Sequence, residues 1–321
     1  MKIARYEHNG FPHVGIVNHG KVNSLPDGTD VLETLNLPLD AQYRLQASAG
    51  RHHRVPLEDV RFLPPIEPRA MRDFVAFEAH ITGMKKAEPG DGSVPEAWYE
   101  APAFLFMNPW SLTAPGADIP MPPLTKALDY EVEVAAIVGT AARDVTPEQA
   151  REHIVGYAIF NDWSARDIQG REMQVGLGPS KGKDFANTLG PWITTPDELE
   201  KFRLADGRLD LEMSVTINGV QTGSDRLSNL SWTFEELVSH ASRDAWVGAG
   251  DVLATGTCAS GSLAELWGRA GRQDPPPLTV GDVISITVQG LGTLTNRISP
   301  QTSTGVPVPP AWSRRQPKES P

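Results

Sequence analysis

Polar and apolar positions alternate along residues 128–139, Leu-Asp-Tyr-Glu-Val-Glu-Val-Ala-Ala-Ile-Val-Gly, in the manner of a β-strand. Because the side chains of a strand have a period of two, Glu131 and Glu133 are expected to point to the same face. Two neighbouring carboxylates repel each other unless a cation lies between them. The pair therefore indicates either a metal site or the solvated face of a half-exposed sheet.

A third carboxylate follows the next apolar run of the chain. Asp162 lies in the sequence Asn-Asp-Trp-Ser-Ala-Arg-Asp-Ile-Gln of residues 161–169. Arg166 and Gln169 of the same stretch supply polar groups around it. Together with the glutamate pair, this acid would complete a site built from oxygen ligands alone.

The same periodicity predicts many short strands and few helices. One predicted helix, residues 70–86, would place Asp73 and His80 on a common face with Phe77 and Met84. Many strands with few crossover helices favour a mostly β, α+β architecture over a doubly wound sheet. The predicted strands cover residues 2–7, 11–17, 21–25, 103–107, 130–138, 156–160, 209–218, 251–255 and 283–289. The other predicted helices cover residues 147–154, 165–173 and 233–245.

Turn and linker residues divide the chain into three parts. Residues 1–65 read as a small β-rich N-terminal domain, with turns at Asn9-Gly10 and His19-Gly20. Prolines 64 and 65 begin a stiff connector to a larger domain at residues 66–298. Residues 299–321 are rich in Pro, Ser and Thr and are predicted to be a disordered tail.

Composition narrows the class of protein. The 321 residues carry a formal net charge of -11, which disfavours nucleic acid and anionic membranes as partners. No apolar run approaches the roughly 20 residues that span a bilayer, and the first residues do not resemble a secretory signal. The single cysteine, Cys258, excludes an intrachain disulfide and fits a reducing cytoplasm, so a cytoplasmic location is expected.

Several blocks of residues, taken in order, resemble the fumarylacetoacetate hydrolase family over residues 72–297. The 161–169 run is the most specific of them, and the Asp129-to-Gly139 strand is the second. The others are Asp-Phe-Val-Ala-Phe-Glu-Ala-His at 73–80, Gly-Pro-Ser-Lys-Gly-Lys-Asp-Phe at 178–185, Gly-Pro-Trp at 190–192, and residues 256–266. The resemblance implies a catalytic domain made of a rolled, mixed β-sheet that assembles as a homodimer.

The resemblance also assigns roles to individual residues. His80 matches the family's catalytic base and Glu265 the acid that orients it. Lys183 matches a catalytic group that holds substrate oxygens. The matching metal ligands are Glu131, Glu133, Asp162 and Asp73, and the matching substrate-binding residues are Arg166, Gln169 and Thr257.

Each role has a simpler alternative. Asp73 could be an acid at a helix N-terminus, and Glu265 could be an ordinary acid on a helix surface. A lone histidine such as His80 is commonly a surface or core residue. Lys181 lies two residues from Lys183 and could take its place. Cys258 could be a nucleophile, although no matching base motif surrounds it, and a buried thiol is the expectation.

Ligands made only of oxygen suit a divalent cation, most of all Mg²⁺, with Mn²⁺ or Ca²⁺ as alternatives. The resemblance then implies hydrolysis of a C–C bond in a β-diketone or acylpyruvate-like acid through a metal-stabilised enolate. Decarboxylation, hydration or keto–enol isomerisation of a 2-oxo acid would use the same groups. A catalytically silent carboxylate-binding or scaffold protein is the alternative from another class. Val75 and Phe106 replace tyrosines of fumarylacetoacetase, which argues against fumarylacetoacetate itself as the substrate.

Overall fold

The computed structural model of the protein describes residues 1–49, 53–85, 93–306 and 308–312. The strands in these ranges are β1 (Lys2–His8), β2 (Phe11–Asn18), β3 (Lys21–Ser24), β4 (Arg54–Pro56), β5 (Arg61–Phe62), β6 (Met71–Phe74), β7 (Phe104–Met107), β8 (Leu112–Thr113), β9 (Asp118–Pro120), β10 (Leu128–Asp129), β11 (Val132–Val138), β12 (Ile154–Asp162), β13 (Ser164–Ala165), β14 (Asn187–Thr194), β15 (Glu212–Ile217), β16 (Val220–Arg226), β17 (Val252–Ala254), β18 (Val283–Val288) and β19 (Gly292–Ser299). The α-helices are α1 (Val31–Leu35), α2 (Leu39–Ser48), α3 (Glu78–Lys85), α4 (Glu96–Glu100), α5 (Pro147–Ala150), α6 (Arg166–Met173), α7 (Pro196–Leu199), α8 (Phe234–Ser242) and α9 (Leu263–Ala270).

The largest sheet follows the order β4-β3-β2-β1-β14-β12-β11-β17-β6-β7. Its central strand, β11, pairs in antiparallel fashion with β12 on one side and β17 on the other. All seven residues of β11 are buried, so its near-continuous apolar run packs on both faces. The strand therefore does not belong to a half-exposed sheet, and Glu133 does not lie on a solvated face.

The N-terminal strands extend this sheet. β1, β2 and β3 form a meander whose turns contain Asn9 and Gly10, both at positive φ, as the sequence predicts. β1 then pairs with β14, with Ile3 opposite Ile193. Two helices, α1 and α2, also lie in this region and were not predicted. Asp30 begins α1 by accepting a hydrogen bond from the Glu33 amide at 2.9 Å.

A second sheet has the order β16-β15-β18-β19-β9, and Asn218-Gly219 makes its first hairpin. Parallel pairs (β14 with β8, β17 with β6, β19 with β9) occur among antiparallel ones, so the sheets are mixed. The mostly-strand α+β class predicted from the sequence is confirmed. No helix in the described part of the chain is both long and apolar enough to cross a lipid bilayer.

The helix predicted over residues 70–86 is wrong in its first half. Residues 71–74 form β6, which lies between β17 and β7, and α3 begins only at Glu78. Burial between two neighbouring strands outweighs the helical spacing of the apolar residues, because spacing alone says nothing about available partners. Residue 86 lies outside the described residues.

The predicted tail begins at residue 299, which is the last residue of β19. Residues 307 and 313–321 of that stretch lie outside the described residues, so the tail stays a prediction. The domain boundary at residue 65 also stays a prediction. The strands before and after this residue belong to one sheet, so the sheet itself does not mark the boundary.

Candidate active site

Four buried carboxylates meet at one end of the large sheet. Asp73 lies on β6, Glu133 on β11, Asp162 at the end of β12, and Glu131 directly precedes β11. One oxygen from each lies within 4.8 Å of the others. The strand register explains the meeting, because Asp73 is opposite Ala254 and Asn161 is opposite Val132.

Three of the acids, Asp73, Glu133 and Asp162, share one face of the sheet. Glu133 lies two residues before Ala135, and Asp162 lies two residues after Phe160; both apolar residues belong to the same buried cluster. On β6, Asp73 follows Met71 of that cluster by two residues. The period-two alternation of neighbouring strands therefore gathers acids that are far apart in sequence.

The arrangement fits a divalent cation. Both carboxylate oxygens of Glu133 and Oδ1 of Asp73 are buried and have no hydrogen-bond partner among the described residues. Buried carboxylate oxygens are normally paired or coordinate a metal, and four carboxylates supply the hard oxygen donors that Mg²⁺, Mn²⁺ and Ca²⁺ prefer. The alternative of Asp73 as an acid at a helix N-terminus is excluded, since Asp73 lies on a strand.

Burial sets the electrostatics of the cluster. Burial, reinforced by Asp73 and Glu131, raises the pKa of Glu133 well above its ordinary value. Burial also raises the pKa of Asp162, although Lys183 opposes the effect, and it raises the pKa of Asp73 to about 7. Glu133, Asp162 and Asp73 thus hold protons more tightly than free carboxyl groups do, and a cation must displace these protons.

We therefore expect cation binding to release protons. The affinity for Mg²⁺ should increase as the pH rises through about 7, the raised pKa of Asp73. A carboxyl group whose pKa is raised in the folded protein stabilises the fold only while it is protonated. Chelator-treated protein should therefore lose stability as the pH rises from about 4. Mg²⁺ should offset this loss of stability. Titration calorimetry in two buffers of different ionisation enthalpy, at pH 6 and pH 8, measures the proton count. Binding heats that do not depend on the buffer would contradict this expectation.

Lys183 lies inside the cluster. Its Nζ donates to Glu131 Oε2 at 2.6 Å, to Ser164 Oγ at 2.9 Å and also to Asp162 Oδ2. Burial alone would lower the pKa of this ammonium group, but the Asp162 and Glu131 carboxylates outweigh burial and raise it above its ordinary value. Lys183 is therefore a fixed positive charge, whereas Lys181 is exposed and pairs with Asp184.

Arg166, at the start of α6, links two acids. Its Nε donates to Asp129 Oδ2 at 2.8 Å, one Nη lies 2.7 Å from Glu131 Oε1, and the other donates to Gln169 Oε1 at 3.0 Å. Asp129 was not among the residues to which the sequence assigned a role. The signal was present in the sequence, because Asp129 precedes Glu131 and Glu133 in the same period of two.

His80 and Glu265 form a pair between α3 and α9. His80 Nδ1 lies 3.1 Å from Glu265 Oε2, which also accepts the Ser260 amide at 2.8 Å. The other oxygen of Glu265 pairs with Arg269. A carboxylate that accepts the Nδ1 proton leaves Nε2 of His80 with a free electron pair, the form a general base requires.

Two glycines bring α3 and α9 close enough for this pair. A Cβ atom at Gly83 would lie 2.3 Å from Glu265 Cγ, and one at Gly268 would lie 2.3 Å from the Gly83 carbonyl oxygen. A side chain at Gly268 would push against the backbone of α3, and a side chain at Gly83 would push aside the side chain of Glu265.

Gly83→Ala should accordingly displace Glu265 and lower turnover by up to about 10²-fold, the usual cost of a small misplacement in an active site. Mg²⁺ affinity should stay at the wild-type value, since the change affects the His80–Glu265 pair and none of the four carboxylates of the cluster. Gly170→Ala on α6 is the matched control, because a Cβ atom there meets nothing within 4 Å. Equal turnover in both variants would show that the close spacing of α3 and α9 is not needed for the His80–Glu265 pair to act.

The remaining predicted residues lie in the loop after β17. Thr257 is buried there, next to Gly256, whose φ of +80° brings its backbone against the Phe74 carbonyl. Cys258 is buried, as predicted, and burial raises the pKa of its thiol well above the ordinary value. A neutral, buried thiol is a poor nucleophile.

Comparison with known proteins gives the family. The family described as fumarylacetoacetate (FAA) hydrolase C-terminal matches residues 69–299, and the family described as Rv2993c-like, N-terminal matches residues 1–65. A maleylpyruvate hydrolase of Aquipseudomonas alcaligenes is 26% identical over 92% of this chain and 98% of its own. The oxaloacetate tautomerase YisK of Bacillus subtilis is 29% identical over 75% of this chain and 74% of its own. A fumarylacetoacetate hydrolase structure from Exiguobacterium antarcticum superposes with a TM-score of 0.72 at 27% identity, covering 94% of this chain and 100% of that one. The chain belongs to the fumarylacetoacetate hydrolase family.

Proposed function

We propose that the protein is a metal-dependent hydrolase that cleaves a C–C bond in a β-diketone or acylpyruvate-like carboxylic acid. The observation that carries this proposal is the presence of a base–carboxylate pair beside the four-carboxylate cluster. Burial raises the pKa of Glu131, yet the charges of Lys183 and Arg166 outweigh burial and bring that pKa below its ordinary value. His80 lies on α3, the helix that follows β6, and β6 carries Asp73 of the cluster.

The four carboxylates Asp73, Glu131, Glu133 and Asp162 would hold the cation, for which we propose Mg²⁺. When bound, the cation would polarise a substrate carbonyl and stabilise negative charge that develops on the substrate oxygens. Lys183 and Arg166 would add fixed positive charge on the same side, and a water-poor setting makes such charges more effective. Gln169 and Thr257 are proposed to bind the substrate.

His80 is the proposed base for the attacking water. Its Nε2 would take a proton from water as the water oxygen bonds to the carbonyl carbon. The C–C bond then breaks with its electron pair on the departing enolate, and the imidazolium returns the proton to that carbon. Glu265 would hold the ring orientation and compensate the charge of the imidazolium, as a carboxylate does in a catalytic triad.

Isomerisation is the second candidate, with decarboxylation and hydration as further variants on the same groups. The similarity to an oxaloacetate tautomerase favours it, because a base that activates water could equally move a proton between carbon and oxygen of a 2-oxo acid. Hydrolysis gives two acids, isomerisation gives one product of unchanged mass, and decarboxylation releases CO₂.

A substrate panel tests the proposal. Protein with Mg²⁺ or Mn²⁺ is incubated with acylpyruvates, 3-oxo acids and 2-oxo diacids, and products are identified by mass and by loss of enol absorbance. Two acid fragments from an acylpyruvate support hydrolysis. Turnover of 2-oxo diacids alone, without fragments, supports the isomerase, and no turnover with either cation contradicts both.

A homodimer in the cytoplasm completes the proposal. The single cysteine fits a reducing compartment, and the family resemblance implies the dimer. Light scattering coupled to size-exclusion chromatography would give the mass, and a value near 35 kDa for the 34.9 kDa chain would contradict the dimer.

A further inference from the structure

Asp129 is a fully buried carboxylate that accepts four hydrogen bonds. Oδ1 accepts the amides of Tyr130 and Leu263, both at 2.8 Å. Oδ2 accepts the Ala264 amide at 2.9 Å and Arg166 Nε at 2.8 Å. A buried acid with this many donors is firmly held and has no capacity left for a cation or a substrate.

The donors to Asp129 come from both parts of the proposed site, the His80–Glu265 pair and the four-carboxylate cluster. Leu263 and Ala264 are the first two residues of α9, and the next residue is Glu265, the partner of His80. Arg166 belongs to the other half, because its guanidinium also contacts Glu131 of the carboxylate cluster. The carboxyl group of Asp129 thus holds both the start of α9, the helix that carries Glu265, and the guanidinium of Arg166, which faces Glu131.

We propose that Asp129 is a positioning residue that couples the carboxylate cluster to the His80–Glu265 pair. The inference rests on the proposed function and goes beyond it, since the hydrogen bonds that Asp129 accepts come from the backbone and from Arg166. Asp129 shares the charge of Arg166 with Glu131, which leaves Glu131 more negative charge for a cation. Groups that orient metal ligands in this way typically change metal affinity or activity by roughly 10- to 100-fold when altered.

Asp129→Asn is the sharpest variant. The amide keeps the size of the carboxyl group but has one acceptor oxygen and one donor nitrogen, so two of the four donors must face an NH₂ group. Without the negative charge of Asp129, the Arg166 guanidinium would neutralise more of the charge of Glu131. The first turn of α9 would also lose a hydrogen-bond acceptor. We expect Mg²⁺ affinity to fall roughly 10- to 100-fold.

Glu235→Gln is the matched control. Glu235 is a buried carboxylate on α8 that accepts from Arg203 at 2.9 Å. Calorimetric titration with Mg²⁺, at a temperature where both variants are folded, should show weaker binding for Asp129→Asn only. Wild-type affinity in Asp129→Asn, or an equal loss in both variants, would overturn the inference while leaving the proposed function intact. A wild type that binds no cation would instead remove the proposed function and this inference with it.

Hydrogen exchange on the wild type avoids any folding defect of the variant. If Asp129 couples the two halves, Mg²⁺ should slow amide exchange in the first turn of α9 as well as in β11, and leave α8 unchanged. Slower exchange confined to β11 and β12 would overturn the coupling.

Discussion

His80→Ala should lower turnover by roughly 10²–10⁴-fold, the usual contribution of a positioned acid–base group. The reason is that Nε2 of His80 is the proposed proton acceptor, while Glu265, which accepts the Ser260 amide, only holds the ring in place. Mg²⁺ affinity should stay close to the wild-type value, because no carboxylate of the cluster is changed. The measurement is kcat on the substrate that the panel identifies, after circular dichroism has confirmed the fold.

Two further variants sharpen this test. Glu265→Gln should do similar but smaller damage, since the imidazole remains and only its orienting charge is lost. His153→Ala is the control, because His153 bonds to Thr140 on the surface. Full activity in His80→Ala would remove water activation from the mechanism and favour a reaction that needs no base at this position.

Glu133→Gln should lower Mg²⁺ affinity more than roughly 100-fold, beyond the usual effect of changes outside the ligand set. The same variant should raise the melting temperature of chelator-treated protein. Both effects have one cause: burial and the neighbouring acids Asp73, Glu131 and Asp162 make the charged form of Glu133 costly without a cation, so glutamine removes that cost as well as a ligand. Opposite signs for stability and metal affinity are characteristic of a ligand and would not result from a general packing defect.

Thermal melts with and without Mg²⁺ measure both quantities. The wild type should gain stability from the cation by mass action, and Glu133→Gln should gain little. Glu212→Gln, an exposed glutamate on β15, should behave as the wild type does. A Glu133→Gln protein that Mg²⁺ stabilises as strongly as the wild type would place the cation elsewhere.

The sequence predicted the carboxylate cluster best where a strand could be read alone. The period of two placed Glu131 and Glu133 together but left a metal site and a solvated face open, and only the family resemblance gave them a ligand role. Asp73 could not be placed the same way, because its strand is four residues long and exists only through pairing with β17 and β7. Partners that are distant in sequence decide such short elements, and no local pattern reports them.

β14 shows a second limit. It lies in the large sheet between β1 and β12, yet it contains Gly190 and Pro191, and proline normally argues against a central strand. The structure accommodates the proline where the register shifts between Tyr157 and Ile159 of β12. The period of two pointed to Asp129 as a residue, but its contacts with α9 could not be predicted, because they depend on where α9 begins relative to β10.

Because β1 pairs with β14, we expect that removal of the first 65 residues would disturb the large sheet. A fragment that starts at residue 66 would leave the end of β14 as an open sheet edge, because β8 pairs only with the start of β14. It would also remove Ile3, the partner of Ile193, and both residues belong to the buried cluster that continues to the acid-bearing face of β11. Exposed apolar edges invite pairing with other chains. Truncation should therefore yield an aggregating polypeptide rather than a minimal enzyme, and substitutions near Ile3 offer a way to alter the rigidity of the carboxylate cluster from a distance.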